Sequence, residues 1–314
     1  MTPFLTLLRR GGVSFAAKRS NTICLASALL PRTGRSFTNR LMHSDASALP
    51  DMDTDGSRSV SAQELAKFIK ISNEWWDPMG PFKYLHTMNR PRIQFIREIM
   101  SDLFRQPSDN IRWMAGHTAV DVGCGGGLAS ESLARLGLSV LGIDAAAENV
   151  AMARIHMKSD PLFSSGDRLK YMQTTAEQLV ASSEDRFDAV VSLEVIEHVN
   201  DPVEFCKSLM DLAKPGALVV LSTMNRTALS YLVDIVVPEY LMRSVPQGTH
   251  EHSKFIVPDE LRLIFRSLGA EPLDTRGLIL DPLNNQCHLV PSDLGLLRNI
   301  GVQANYISAF RKSS

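Results

Sequence analysis

The sequence predicts an α/β fold built on a mostly parallel, doubly wound sheet. Three observations carry that expectation. Short apolar runs alternate with helical stretches between residues 117 and 222, a glycine-rich loop leaves the first run and enters a helix, and an acid, Asp144, closes the second run. Alternation at this spacing sets successive strands parallel. The loop then lies where an open α/β sheet takes its ligand, outside the carboxyl ends of the strands.

The elements follow in order. Ser61 to Lys70 opens with Ser and carries Glu64 three residues on, a capping-box start, with Leu65, Phe68 and Ile69 on one helical face. Trp75, Trp76 and Asp77-Pro78 end it, and Pro91 to Phe104 restarts a helix with Pro in a tolerated first-turn position. His117 to Val122 is a buried-strand run, Gly127 to Leu136 a helix, Ser139 to Ile143 a second strand and Ala145 to Met157 a second helix. Lys170 to Gln173, Phe187 to Ser192 and Ala217 to Ser222 read as three further strands, with Pro202 to Ala213 helical before the last. Asp259 to Leu268 is one more helix. Short β-like stretches at Leu278 to Leu280 and Tyr306 to Phe310, with no helix between them, suggest a terminal antiparallel hairpin. No internal repeat breaks the body, so residues 61–314 read as one domain.

Composition bounds the function. The net charge of −1 hides seven basic residues and no acid in Met1 to Ser44, so the remainder carries −8. That argues against binding a nucleic-acid backbone. Arg-rich, Ser/Thr-rich and free of acids, residues 1–44 fit a mitochondrial transit peptide, while Lys18, Arg19, Arg32 and Arg35 interrupt the apolar core a secretory signal needs. Cys24, Cys124, Cys206 and Cys287 form no C-x-x-C pair, which suits a reducing compartment. No apolar run reaches the ~18 residues of a membrane span.

The loop Val120-Asp121-Val122-Gly123-Cys124-Gly125-Gly126-Gly127 reads G-x-G-x-G. A dinucleotide loop reads G-x-G-x-x-G, and the position of its last glycine is here Leu128. Asp144 follows about 20 residues after Gly123, placed to accept ribose hydroxyls. The pattern therefore implies a nucleoside without a pyrophosphate and disfavours a nicotinamide-dependent dehydrogenase. After the fourth strand comes Glu194-Val195-Ile196-Glu197-His198. On a helical turn Glu194, Glu197 and His198 project to one side, where they would hold a divalent ion or supply a general base. The bland alternative is a solvated turn with an intrahelical Glu–His pair.

The sequence V-D-V-G-C-G-G-G resembles motif I of the seven-stranded, Rossmann-like S-adenosylmethionine-dependent methyltransferases. Thr175-Ala176-Glu177 and Leu212 to Gly216 are similar to later landmarks of that class. Within it, Trp75-Trp76-Asp77-Pro78, Glu194 to Val199, Ser222 to Arg226, Pro246 to His250 and Asn305-Tyr306 resemble the ubiquinone biosynthesis O-methyltransferases. Carried over residue by residue, the resemblance implies that Arg92, Gly123, Asp144 and Leu193 contact S-adenosylmethionine, and that Mg2+ sits at Glu194, Glu197 and His198. His198 is alternatively the base. The resemblance also implies polyprenylated catechol and hydroquinone substrates, partner enzymes of a ubiquinone-forming complex, and a peripheral place on the matrix side of the mitochondrial inner membrane. Residues 281–287 depart from the family pattern, which has Asn first and a bulky aromatic last.

Ala228 to Val245 is unusually apolar for an insertion after a fifth strand, yet Asp234, Pro238 and Glu239 prevent it from spanning a bilayer. It is expected to form an amphipathic lid resting on lipid, with Arg243 near phosphates. Two other readings are a methyltransferase for another small phenol and a catalytically idle scaffold; the second is expected to lose the loop or the acids, and Gly123, Asp144, Glu194 and Glu197 all remain.

Overall fold

A computed structural model describes residues 72–105, 112–163, 165–241, 248, 250–281, 284, 286–290 and 302–314. The chain divides into two units, Met1–Leu49 and Pro50–Ser314, and all described residues belong to the second. The expected transit segment, the helix at 61–70 and Arg243 lie outside the described residues.

The strands β1 (Thr118–Val122), β2 (Ser139–Asp144), β3 (Leu169–Gln173), β4 (Phe187–Leu193) and β5 (Ala213–Met224) run parallel, as the alternation requires. With β6 (Ala270–Asp281), β7 (Gln286–Val290) and β8 (Asn305–Lys312) they form one eight-stranded sheet in the order β3-β2-β1-β4-β5-β8-β6-β7. The seven-strand Rossmann-like frame expected from the sequence is present with one extra edge strand. The two late strands pair antiparallel as expected, β6 with β8, but a further strand lies between them in sequence. β6 turns back onto β7, and β8 returns to lie antiparallel between β5 and β6. The polar run Gln286-Cys287-His288 conceals β7 in the sequence, because an edge strand has no buried face on both sides to fill.

Helices cover both faces. On one lie α1 (Lys83–Phe104), α2 (Leu128–Arg135) and α3 (Ala147–Ser159). Phe95 and Ile96 of α1, Leu133 of α2 and Val150 and Ala153 of α3 pack in one core with Ala119, Val140, Leu169, Ala189, Val191, Val220 and Ile307 from the sheet. On the other lie α4 (Ala176–Ser182), α5 (Pro202–Leu212) and α6 (Pro258–Ser267). α4 begins with a capping box at Thr175 and Gln178, and Asp201 caps α5 by accepting from the backbone of Val203 and Glu204. In α6, Phe265 is fully buried and stacks on Phe310 of β8, ring centroids 4.1 Å apart and 13° from parallel. No helix among the described residues is long and apolar enough to cross a membrane.

Phe265→Ala removes the ring that joins α6 to the sheet, so it is expected to lower unfolding free energy by about 3–5 kcal/mol. Urea denaturation followed by circular dichroism measures it.

Candidate active site

The strand order reverses between β1 and β4, and the carboxyl ends of those strands open the crevice in which such sheets bind ligands. The glycine loop fills this edge with bare backbone. Gly123, Gly125 and Gly127 all have positive φ, which glycine alone adopts without penalty. Gly123 and Cys124 both donate from their backbone N–H to the carbonyl of Ile143, at 2.8 and 2.9 Å, tying the loop to β2. A Cβ on Gly123 would lie 2.5 Å from Val195 Cγ2, so the loop and the turn after β4 meet backbone to side chain. Asp121 in β1 is buried and accepts from Ser130 Oγ at 2.5 Å. Burial pushes its carboxyl up to about 6.

Asp144 ends β2 beside this loop. Its Oδ2 accepts from Gly125 N at 2.9 Å, and its Oδ1 from Ala146 N at 2.8 Å and from Asn149 Nδ2 at 3.2 Å. Burial raises its pKa and these donors oppose the rise. Leu193 ends β4 and packs partly buried against the main core.

Arg92 reaches the same edge from α1. It is buried, donates to the carbonyl of Leu85 at 3.1 Å, and lies 3.5 Å from Glu194 Oε1. Its Nε is buried without a partner. Glu194 has φ 57, a left-handed conformation that costs a non-glycine residue about 1–2 kcal/mol. Its carboxylate accepts from Ser222 Oγ at 2.6 Å through Oε1 and from Asn305 Nδ2 at 3.4 Å through Oε2. Glu197 is buried and accepts from Thr223 Oγ1 at 2.7 Å, while its Oε1 has no partner. Burial first, and the Glu194 charge second, raise the Glu197 pKa.

The segment after β4 departs from the expected helical turn. Glu194 stands before a short 3-10 turn, Ile196–His198, so the i, i+3, i+4 geometry of an α-helix does not apply. Among the described residues no group of three or more His, Cys, Asp or Glu side chains is placed to hold a metal ion. Glu194 faces Arg92 and Ser222, and His198 lies 6.0 Å, ring to ring, from His250. The donor set implied for Mg2+ is thus not assembled in this geometry.

Sequence reasoning left several neighbours without a role. Ser222, Thr223 and Asn305 hold the two glutamates, and Asp234 adds a third carboxyl whose Oδ2 is buried and unpartnered. Burial and the Glu194 charge push Asp234 up to about 8. The first three fall in segments that resemble the family's motifs; Asp234 stands out in the sequence only as an acid inside an apolar insertion.

A parallel sheet with a glycine loop after β1, a carboxylate closing β2 and an antiparallel last strand defines the S-adenosylmethionine-dependent methyltransferase class. A methyltransferase-domain family profile matches residues 84–275. A methyltransferase structure from Thermotoga maritima, described as a possible histamine N-methyltransferase, superposes with a TM-score of 0.54 at 16% identity, covering 80% of this chain and all of that one. Among named relatives, the ubiquinone biosynthesis O-methyltransferase of Dinoroseobacter shibae is 40% identical over 82% of this chain and 98% of its own length. The mitochondrial ubiquinone biosynthesis O-methyltransferase of Arabidopsis thaliana is 43% identical over 74% of this chain and 71% of its own. The chain belongs to the ubiquinone biosynthesis O-methyltransferase family and is an S-adenosylmethionine-dependent O-methyltransferase.

The native state holds the Asp121 proton more tightly than the unfolded chain does, because its folded pKa is raised from 3.8 to about 6. That contribution is full below the unfolded value and is lost as pH rises through the folded one. Relative to Asp121→Asn, the wild type is therefore expected to lose ~3 kcal/mol over this window and nothing further above it, read from urea midpoints at stepped pH. Gly125→Ala places a methyl in the ring of Trp75 at a positive-φ position and is expected to weaken S-adenosylhomocysteine binding at least ~10-fold by calorimetry.

Proposed function

We propose that this enzyme methylates a phenolic hydroxyl of polyprenylated dihydroxybenzoate and demethylubiquinol intermediates, at the matrix face of the mitochondrial inner membrane and beside other enzymes of the same pathway. The observation that carries this reading is the 40–43% identity to ubiquinone biosynthesis O-methyltransferases, one of them mitochondrial. The basic, acid-free leader supports the compartment.

Bound S-adenosylmethionine supplies an electrophilic methyl on a sulfonium. The chain's residues receive it as follows. Gly123 lets the ligand approach the backbone, Asp144 accepts from the ribose, Leu193 gives an apolar wall, and Arg92, with an unspent buried Nε–H, takes the methionine carboxylate. In-line attack needs the acceptor oxygen aligned with the methyl, and alignment supplies much of the rate. A phenol with a pKa of about 10 must also lose its proton. We assign that proton to His198; Glu197, with its unpartnered Oε1 and raised pKa, is the second reading. Mg2+ at Glu194, Glu197 and His198 is what the family implies, but those side chains do not converge as a metal site among the described residues.

The insertion after β5 supports contact with lipid. Ala228–Ser230 makes one turn capped by Thr227, and Tyr231–Leu241 continues as a π-helical stretch where a regular amphipathic helix was expected. Ile235 buries against Met224 and Phe255, while Glu239, also buried, accepts from the backbone of Gly248 and His250. Anchored there, the stretch leaves Tyr231, Leu232, Val233 and Tyr240 between 39% and 54% exposed. Such apolar exposure beside the site fits a surface that meets the bilayer carrying a prenylated substrate.

Labelled methyl transfer to a short-chain prenylated dihydroxybenzoate, run with and without EDTA, tests the function. Transfer that survives EDTA and falls at least ~100-fold in His198→Ala supports the assigned base; abolition by EDTA points to a metal instead, and absence of transfer overturns the substrate. Leu232→Ser with Val233→Ser and Tyr240→Ser is expected to reduce cosedimentation with anionic liposomes while leaving S-adenosylhomocysteine binding unchanged.

A further inference from the structure

Two adjacent tryptophans, ahead of the sheet in sequence, close on the glycine loop. Trp76 Nε1 donates to the carbonyl of Gly126 at 2.9 Å, and its ring stacks on His156 of α3 at 3.3 Å and 3°. Trp75 lies on the bare backbone of Gly125 and Gly126; a Cβ on Gly126 would stand 2.5 Å from its Cβ and Cγ. The Trp75 indole is 8% exposed, stacks on Phe82 at 3.8 Å and 5°, and its carbonyl is bonded by His86 Nε2 at 2.8 Å. The indole is therefore held in one place by the loop beneath it and the ring above it.

Its indole N–H reaches Asp144 through one intervening side chain, that of Asn149. Trp75 Nε1 donates to Asn149 Oδ1 at 2.8 Å, and Asn149 Nδ2 donates to Asp144 Oδ1 at 3.2 Å. Asn149 is 4% exposed. A buried amide with one end accepting and the other donating has a single satisfied orientation. The indole N–H supplies the donor that selects it. Without that donor the amide oxygen is buried and unpaired, and Asn149 loses one of the two hydrogen bonds that hold its side chain against Asp144.

We infer that Trp75 is a positioning residue for the methyl donor, acting through the Asn149 amide to hold the Asp144 carboxylate where it meets the ribose hydroxyls. This rests on Asp144 being the ribose acceptor, as proposed above. Trp75→Phe removes the N–H donor together with the outer ring that lies on Gly125, so the comparison of ligands with and without ribose hydroxyls is what separates loss of the donor from loss of packing. Unchanged near-ultraviolet circular dichroism and thermal midpoint establish that the variant is folded; Asn149→Ala, which removes the amide itself, is the second route to the same break.

The test is calorimetric binding of S-adenosylhomocysteine and of its 2′,3′-dideoxy analogue to the wild type, Trp75→Phe, Asn149→Ala, the double variant and Asp144→Ala. Trp75→Phe is expected to weaken S-adenosylhomocysteine about three- to tenfold, the range of one hydrogen bond, and to leave the dideoxy analogue unchanged. In the Asn149→Ala background the Trp75→Phe loss is expected to vanish, because the relay is already cut. In turnover, KM for the methyl donor rises while kcat holds. Equal loss for both ligands, additive losses in the double variant, or no loss in Trp75→Phe each overturns the relay. If Asp144→Ala binds S-adenosylhomocysteine as the wild type does, the ribose assignment itself falls; if it weakens binding and Trp75→Phe does not, only the relay falls.

Discussion

Close approach at the glycine loop is the constraint on which the rest of this edge depends. A ligand can lie against β1 only if residues 123 to 127 present backbone, and the backbone reaches its path only with positive φ at Gly123, Gly125 and Gly127. Removing side chains there has a structural cost that the protein meets from outside the loop. Trp75, Val195 and Tyr171 occupy the space that Cβ atoms would otherwise take, so the loop is packed although it carries almost no side chains of its own. The result is a loop whose glycine backbone is fixed by side chains from elsewhere in the fold.

The same edge concentrates buried charge. Arg92, Asp121, Glu194 and Glu197 are withdrawn from water within reach of one another, and burial opposes the charged form of each acid whose shift is resolved and of the arginine. Such a cluster persists only when hydrogen bonds satisfy it. Ser130, Ser222, Thr223 and Asn305 do this from three different elements, α2, β5 and β8, which explains why two hydroxyl residues stand near the end of β5 where apolar ones would pack more simply. The strained backbone at Glu194 belongs to the same arrangement: a left-handed turn brings its carboxylate back over Ser222.

The insertion after β5 solves a different problem, that of holding apolar surface outward. Ile235 and Glu239 fasten it inward, one by packing and one by accepting backbone N–H groups, and Tyr231, Leu232 and Val233 before them and Tyr240 after them remain exposed. Under the proposed function this is the surface that would meet the lipid carrying the acceptor, and the acidic body makes a charge-led attraction to anionic lipid weak.

The sequence by itself determined the parallel sheet, the loop and Asp144, because a period of buried strands, a run of glycines and an acid at a strand end are local patterns with one physical meaning each. It also marked Arg92, Glu194, Glu197 and His198 through resemblance to a family. Tertiary structure alone decided which of these meet. Glu194 turns to Arg92 because its φ is positive, the expected helical face is a 3-10 turn, and β8 enters between β5 and β6 to bring Asn305 to Glu194 across 111 positions. The edge strand β7 and the link from Trp75 to Asn149, 74 positions apart, were invisible for the same reason. Pairing along an exposed edge and hydrogen bonds between distant residues leave no periodic trace in the chain; they exist only once the sheet has closed the distance.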